Sequence, residues 1–152
     1  MLDYHLRMFR YEEWANREVI SGLKDSHTPQ AVALLAHIIS AQELWLNRIR
    51  GRDAEVAVWP NWTLEQCVSR SRPIIASWLD YFASLSGDDL SSEFTYHNSA
   101  GDEWSSTVSD TLTHVVLHSV YHRAQIASAV RDEGFAPAFT DFIHAARSQH
   151  VK

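Results

Sequence analysis

The sequence predicts an all-α protein, a four-helix bundle with up-down-down-up topology and a short C-terminal helix. Apolar residues recur at spacings of three and four along four long stretches of the chain, which is the pattern of amphipathic helices. The connection between the first two stretches is short, whereas residues 51–62 separate the second from the third. A connection of that length spans up to about 40 Å, enough to cross the bundle, so we expect the second and third helices to run in the same direction.

Length, charge and cysteine content limit the class of protein. At 152 residues, the chain suits a single domain over residues 1–152 with a core of its own. It carries 13 Lys and Arg against 19 Asp and Glu, with no basic run, so we do not expect a nucleic-acid partner. Its single cysteine, Cys67, excludes an intramolecular disulfide and suits a reducing compartment, which favours the cytoplasm. We expect neither a secretory signal nor a membrane-spanning helix.

The first two helices are expected over residues 2–24 and from Pro29 to about Arg50. The polar residues between them interrupt the apolar pattern. Thr28 is the predicted N-cap of the second helix, and Pro29 suits its first turn, where a backbone N–H has no partner to lose. Gly51 is expected to end this helix.

The third helix follows a linker at residues 51–62. Thr63 and Gln66 form the pattern of a capping box at its start. The apolar pattern continues to about Ser86. Pro73 lies inside it, and we expect this proline to kink or divide the helix.

Polar residues fill the segment 88–107. Two runs rich in aromatic and β-branched residues, 94–97 and 103–107, flank a turn-forming segment. This arrangement predicts a short β-hairpin.

The fourth helix should begin near Thr107 and Asp110, either of which can cap it, and stop at Gly134. The tail, 139–147, predicts a short docking helix with Thr140 as its cap. Most of the six tryptophans are expected to fill the core.

Histidines are the residues that suggest chemistry. His114, His118 and His122 follow one another at four-residue steps, so they share one face of the fourth helix. Each step rises about 6 Å, so two neighbours can hold one metal ion but the first and third cannot. His37 lies on the apolar face of the second helix, where an imidazole without a partner costs about 1–3 kcal/mol. It should therefore be hydrogen-bonded or bound to a metal.

Helix arithmetic selects which histidines meet. At 1.5 Å per residue, His37 lies about 12 Å below the top of a descending second helix. On an ascending fourth helix, His122 lies about 15 Å, His118 about 21 Å and His114 about 27 Å below the top. We therefore predict a metal site made of His37, His118 and His122, with His114 left out.

Three imidazoles inside a bundle leave a fourth coordination position open, as in catalytic zinc sites. Zinc is the first candidate by availability, and nitrogen ligands also suit nickel, iron or copper. The His-Glu-x-x-His pattern of zinc proteases is absent. The carboxylate motifs of a di-iron bundle are absent as well, so a mononuclear site remains.

At these residues the sequence resembles the DinB/YfiT-like family of four-helix-bundle proteins. The resemblance is carried by Tyr11–Asn16, His37–Arg48, His114–Gln125, Gly134–Pro137 and Asp141–Ile143. It implies the same three metal ligands, His37, His118 and His122, the same topology and a homodimer. Ala124 departs from the pattern, since the family commonly has glycine there.

The better-understood relatives act with low-molecular-weight thiols. The resemblance therefore implies a metal-dependent thiol S-transferase or isomerase with a small-molecule substrate, in which the metal stabilises a thiolate. A metal-dependent hydrolase and a non-catalytic, stress-associated, metal-binding dimer are the alternatives. Tyr121 and Gln125 either orient a substrate or a ligand imidazole, or they pack and cap. Cys67 is outside this scheme and should pack at the start of the third helix.

Overall fold

The computed structural model describes residues 1–26, 28–53 and 55–151. In this part of the chain it is a mostly helical protein with one small antiparallel sheet. The elements in chain order are α1 (Leu2–Ser26), α2 (Pro29–Ile49), α3 (Leu64–Ala83), a 3-10 helix (Asp88–Ser91), β1 (Glu93–His97), β2 (Glu103–Thr107), α4 (Val108–Asp132) and α5 (Phe142–Arg147). The β-hairpin predicted from residues 94–97 and 103–107 is present as β1 and β2, the β element in a fold otherwise predicted as all-α. No helix of the described residues is long and apolar enough to cross a membrane.

Two of the predicted helix starts are present with their capping bonds. The hydroxyl of Thr63 accepts the Gln66 N–H at 3.3 Å, and the Thr63 N–H donates to the Gln66 side chain at 2.9 Å. Thr107 caps α4 by accepting the Asp110 N–H at 3.0 Å. Local side-chain chemistry therefore fixes where α3 and α4 begin.

Of the two expectations for Pro73, a kink or a division, the division does not occur. The helix continues through Pro73 and ends at Ala83, before the predicted end near Ser86. Pro73 and Ser69, one turn earlier, are both exposed. The Ser69 carbonyl, which would bond to a residue at position 73 with an N–H, can bond to water instead.

The end of α1 differs from the prediction, whereas α2 starts at Pro29 with Thr28 as its N-cap residue, as predicted. The first helix extends to Ser26. Thr28 occupies the N-cap position of α2, but its hydroxyl donates to the Ser26 carbonyl at 3.2 Å and makes no capping bond. His27, in the predicted connection, lies outside the described residues.

The cap of the last helix was also predicted wrongly. Asp141 is the N-cap of α5, and its carboxylate accepts the His144 N–H at 3.1 Å. The carbonyl of Thr140 instead accepts a hydrogen bond from the Tyr11 hydroxyl at 2.7 Å. This bond ties the tail to α1.

The core lies between the four long helices. Phe9 packs against Trp78 and Phe82, with ring centroids 4.7 and 5.0 Å apart. A smaller cluster around Tyr11 and Trp14 covers α5. α2 and α4 contact each other directly, and the histidines lie at this contact.

Candidate metal centre

The predicted ligand residues come together between α2 and α4. One ligand-capable nitrogen of each of His37, His118 and His122 lies within 4.8 Å of the other two. Their ring centroids are 4.5 to 4.9 Å apart. His37 and His122 are buried, and His118 is half-buried. The grouping is present in the structure, whereas metal binding by these residues stays a prediction.

His114 lies outside the group. Its ring packs against Trp45 at 5.0 Å and lies 5.5 Å from the ring of His118. Trp45 is on α2 beyond His37, while His114 precedes His118 on α4, so the two helices run in opposite directions. This direction places His114 one turn away from His37.

Hydrogen bonds at Nδ1, the ring nitrogen that does not face the cluster, orient two of the three rings. The Nδ1–H of His37 donates to the carbonyl of Val58 at 2.7 Å. The Nδ1–H of His122 donates to Oε1 of Gln125 at 2.7 Å. Since these oxygens can only accept, each ring carries its free lone pair on Nε2. Such bonds fix the tautomer of metal-binding histidines and increase their basicity.

The nitrogen positions suit a zinc-sized ion. Nε2 of His37 and Nε2 of His118 are 3.1 Å apart. Two nitrogens that bind one tetrahedral zinc at 2.0–2.1 Å are about 3.3 Å apart. This pair therefore fits a divalent ion of this size after a shift of a few tenths of an ångström, and the nitrogen of His122 lies within 4.8 Å of both.

The electrostatic environment favours the neutral form of His37 and His118 by lowering the pKa of each ring. Burial, and then the charges of His122, His37 and His114, lowers the pKa of His118 to about 4. Burial also lowers the pKa of His37, against the opposing effect of its bond to Val58. Neutral imidazole is the form that binds metal ions.

The linker supplies part of the site, which sequence reasoning missed. The indole of Trp59 stacks on His37, with centroids 3.7 Å apart and planes at 5°, and it meets His122 edge-on at 5.9 Å. Trp59 remains 57% exposed, so it is not one of the core tryptophans that the sequence favoured. Ser40 on α2 donates a hydrogen bond to the Ala57 carbonyl, which docks this segment beside His37. The available sequence signal for this role was the position of Trp59, an aromatic residue near the end of a linker that must cross the bundle.

Of the two residues that flank the ligands, only Gln125 bonds to one of them. Its amide oxygen holds His122, as described above, so it orients an imidazole. Tyr121 contacts the same ring edge-on at 5.1 Å and is 63% exposed. Cys67 is fully buried in the first turn of α3, as predicted, and takes no part in the cluster.

A buried ion pair lies directly beside the histidines. Arg123 donates to both carboxylate oxygens of Glu12, at 3.0 and 2.6 Å, and Gln42 donates to Glu12 at 3.1 Å. Both charged side chains are at most 2% exposed. This pair joins α4 to α1 and so fixes the rotation of α4 that turns His122 toward His37. Sequence reasoning did not identify it, although Glu12 shares the apolar face of α1 with Phe9, where a carboxylate needs a partner.

Two comparisons with known proteins match nearly the whole chain. The family model described as "DinB family" matches residues 1–151. Among curated proteins, the chain is similar to Protein DinB of Bacillus subtilis (strain 168), with 25% identity over an alignment of 162 residues that covers 93% of each chain. The match spans the helices that carry all three histidines. The chain therefore belongs to the DinB family.

Proposed function

We propose that this protein binds one divalent metal ion through His37, His118 and His122 and is a metal-dependent enzyme. Its reaction would transfer or isomerise a small molecule with the help of a low-molecular-weight thiol. The observation that carries the proposal is the convergence of three imidazole nitrogens within 4.8 Å. Zinc is the first candidate, and nickel or iron also accept such a donor set.

The proposed site requires α2 and α4 to run in opposite directions, and contacts support the full up-down-down-up order. Between α1 and α4, and between α2 and α3, the contacts advance in the same direction along both helices. The pairs are His5 with Ser109 and Glu12 with Arg123, and Glu43 with Arg70 and Arg50 with Ser77. The linker at residues 51–62 then makes the long crossing between α2 and α3.

In such a reaction the histidines would act as metal ligands, and the metal would activate the thiol. A bound divalent ion would supply a stable thiolate at neutral pH by offsetting its charge. Among the described residues, the cluster contains histidines and no carboxylate, so its side chains act as ligands and the thiol proton passes to water. The thiolate sulfur then bonds to the electrophilic carbon of the substrate, whose leaving group departs with its electron pair.

The indole of Trp59 covers one face of His37 and gives the site an apolar wall. This wall limits access of water to the bound groups. A cytoplasmic location fits the proposal, because small thiols are kept reduced there.

The test is conjugation of a small thiol to 1-chloro-2,4-dinitrobenzene, followed by absorbance. Zinc-loaded protein should exceed metal-free protein in rate, and His122→Ala should lose the gain while keeping its helical circular dichroism. His114→Ala should keep the gain. In cobalt-substituted protein, the thiol should change the visible spectrum by binding the ion.

Two results would replace this reaction with another reading. If a panel of thiols and electrophiles gives no rate above the metal-free protein, and thiols leave the cobalt spectrum unchanged, a non-catalytic metal-binding function follows. If instead the loaded protein hydrolyses esters without a thiol, the hydrolase alternative follows.

We also propose that the protein is a homodimer. Leu117, Val120 and Tyr121 lie on the outer face of α4 and are 62%, 42% and 63% exposed. Adjacent exposed apolar side chains of this kind are typical of an interface, and the family resemblance points the same way. Light scattering should give twice the chain mass, and Leu117→Glu should give a monomer. A monomeric parent at micromolar concentration would contradict the proposal.

A further inference from the structure

A cavity of about 560 Å³ lies where the end of α2, the linker and β1 meet. Its charged lining residues among those described are Arg48, Arg52 and Asp53, and His97 lines it as well. The volume is in the range of small-molecule binding sites. The cavity shares Val58 with the histidine cluster, but none of the three candidate metal ligands lines it.

Two aromatic rings hold the side chain of Arg48. Its guanidinium carbon lies 4.8 Å from the ring centroid of Trp45 and 5.3 Å from that of Tyr96. These two rings meet edge-on at 5.1 Å. Cation–π contacts with both rings restrict the guanidinium to one position at the cavity wall.

The charge of Arg48 is not balanced within the described part of the chain. Arg48 is half-buried, yet among the described residues its side chain has no ion-pair partner and no hydrogen-bond acceptor. Arg123, by contrast, is paired with Glu12. A partly desolvated guanidinium with unused N–H donors is favourable only if something else supplies the acceptor.

We propose that this cavity binds a small organic anion, with its carboxylate or phosphate held by the guanidinium of Arg48. The planar guanidinium can donate two parallel hydrogen bonds to either group. Arg52, exposed in the same wall, adds a second positive charge, so that among the described lining residues the two arginines outweigh the carboxylate of Asp53. The His97 side chain lies 3.9 Å from the Glu103 carboxylate, and this negative charge makes His97 a poor ligand for an anion. Anion binding should therefore depend on Arg48.

The anion site does not depend on the metal, although the two lie close together. Trp45 contacts Arg48 on one side and His114 on the other, and the His114 ring lies 5.5 Å from that of His118. A ligand held at Arg48 is therefore separated from the histidine cluster by a short row of rings. The inference goes beyond the proposed metal chemistry and stands without it.

Calorimetry on metal-free protein at low ionic strength tests the proposal with three probes: inorganic phosphate, glutarate and the uncharged glutaramide. At least one anion should bind at one site per chain, and the comparison of the two anions tells phosphate from carboxylate. Glutaramide should not bind. Arg48→Met should weaken anion binding by about tenfold or more, while Arg131→Met, a matched loss of charge at an exposed position at the end of α4, should leave it unchanged.

A second measurement does not rely on the folding of the Arg48 variant. In the parent protein, the anion should shift the indole N–H resonance of Trp45 and leave that of the buried Trp78 in place. The inference is overturned if neither anion binds at tens of millimolar, or if Arg48→Met binds like the parent. Equal binding of glutaramide, or an anion that binds only when metal is present, overturns it too.

Discussion

Two adjacent buried residues of α4 belong to regions with different partners. Arg123 is paired with an oppositely charged side chain, whereas His122 is clustered with side chains of its own kind. Arg123 meets the carboxylate of Glu12 through two hydrogen bonds, so its charge is balanced within the core. His122 faces two further imidazoles, and among the described residues no carboxylate joins that cluster. A polar group with a complementary partner is explained by the fold alone. Three imidazoles whose nitrogens converge within 4.8 Å are not explained by such pairing, and they are a candidate functional site.

The ion pair should give the largest effect when broken. Arg123→Met leaves the Glu12 carboxylate buried without its cation, and we expect a loss of about 3–5 kcal/mol in the free energy of unfolding. Urea unfolding of metal-free protein measures it. The double variant Glu12→Leu with Arg123→Met should be less destabilised than the sum of its single variants. A loss below about 1 kcal/mol in Arg123→Met would remove the contrast between the two regions.

Substitution of a histidine of the cluster should lower the metal content of the protein. His37→Ala removes one of three ligands, so we expect metal affinity to fall by more than about 100-fold and little metal to remain by elemental analysis. His114→Ala is the matched control, because its ring packs on Trp45 outside the group, and it should keep about one metal per chain. Equal metal content in His37→Ala and the parent would refute the site assignment.

The orienting bond from Gln125 should have a smaller effect. Gln125→Ala leaves Nδ1 of His122 without its acceptor, and we expect metal affinity to fall by about 10- to 100-fold. Competition with a chromophoric chelator measures the change. Gln125→Glu keeps an acceptor oxygen and should retain most of the affinity. If both variants behave like the parent, the bond does not orient a ligand.

Cys67 should give the smallest effect, since it lies in neither region. Burial raises the pKa of its thiol to about 11, so at pH 8 only roughly a thousandth of it is thiolate. Iodoacetamide should therefore react slowly with native protein, faster as the pH rises toward 11, and fast in urea. Cys67→Ala should bind as much metal as the parent. Rapid alkylation of native protein at pH 8 would contradict the burial.

Much of this molecule follows from local sequence patterns. The spacing of apolar residues predicted the four long helices, and Thr63 and Thr107 marked where two of them begin, because helix period and capping involve residues a few positions apart. The grouping of His37 with His118 and His122 also followed, since the rise per residue converts sequence position into depth. The cap misassigned to Thr140 shows the limit of this reasoning, because the neighbouring Asp141 makes the capping bond instead.

Only the tertiary structure decided what surrounds those histidines. The linker could be predicted as a crossing, but its sequence does not say that the Val58 carbonyl bonds to His37 or that Trp59 stacks on its ring. The pairing of Glu12 with Arg123 joins residues more than a hundred positions apart, and Arg48 meets Tyr96 only because the hairpin folds back onto α2. The sequence by itself determined the helices and the levels of the histidines, because periodicity and rise are local properties of a chain. The partners of each polar side chain depend on packing between distant segments, which no local pattern contains.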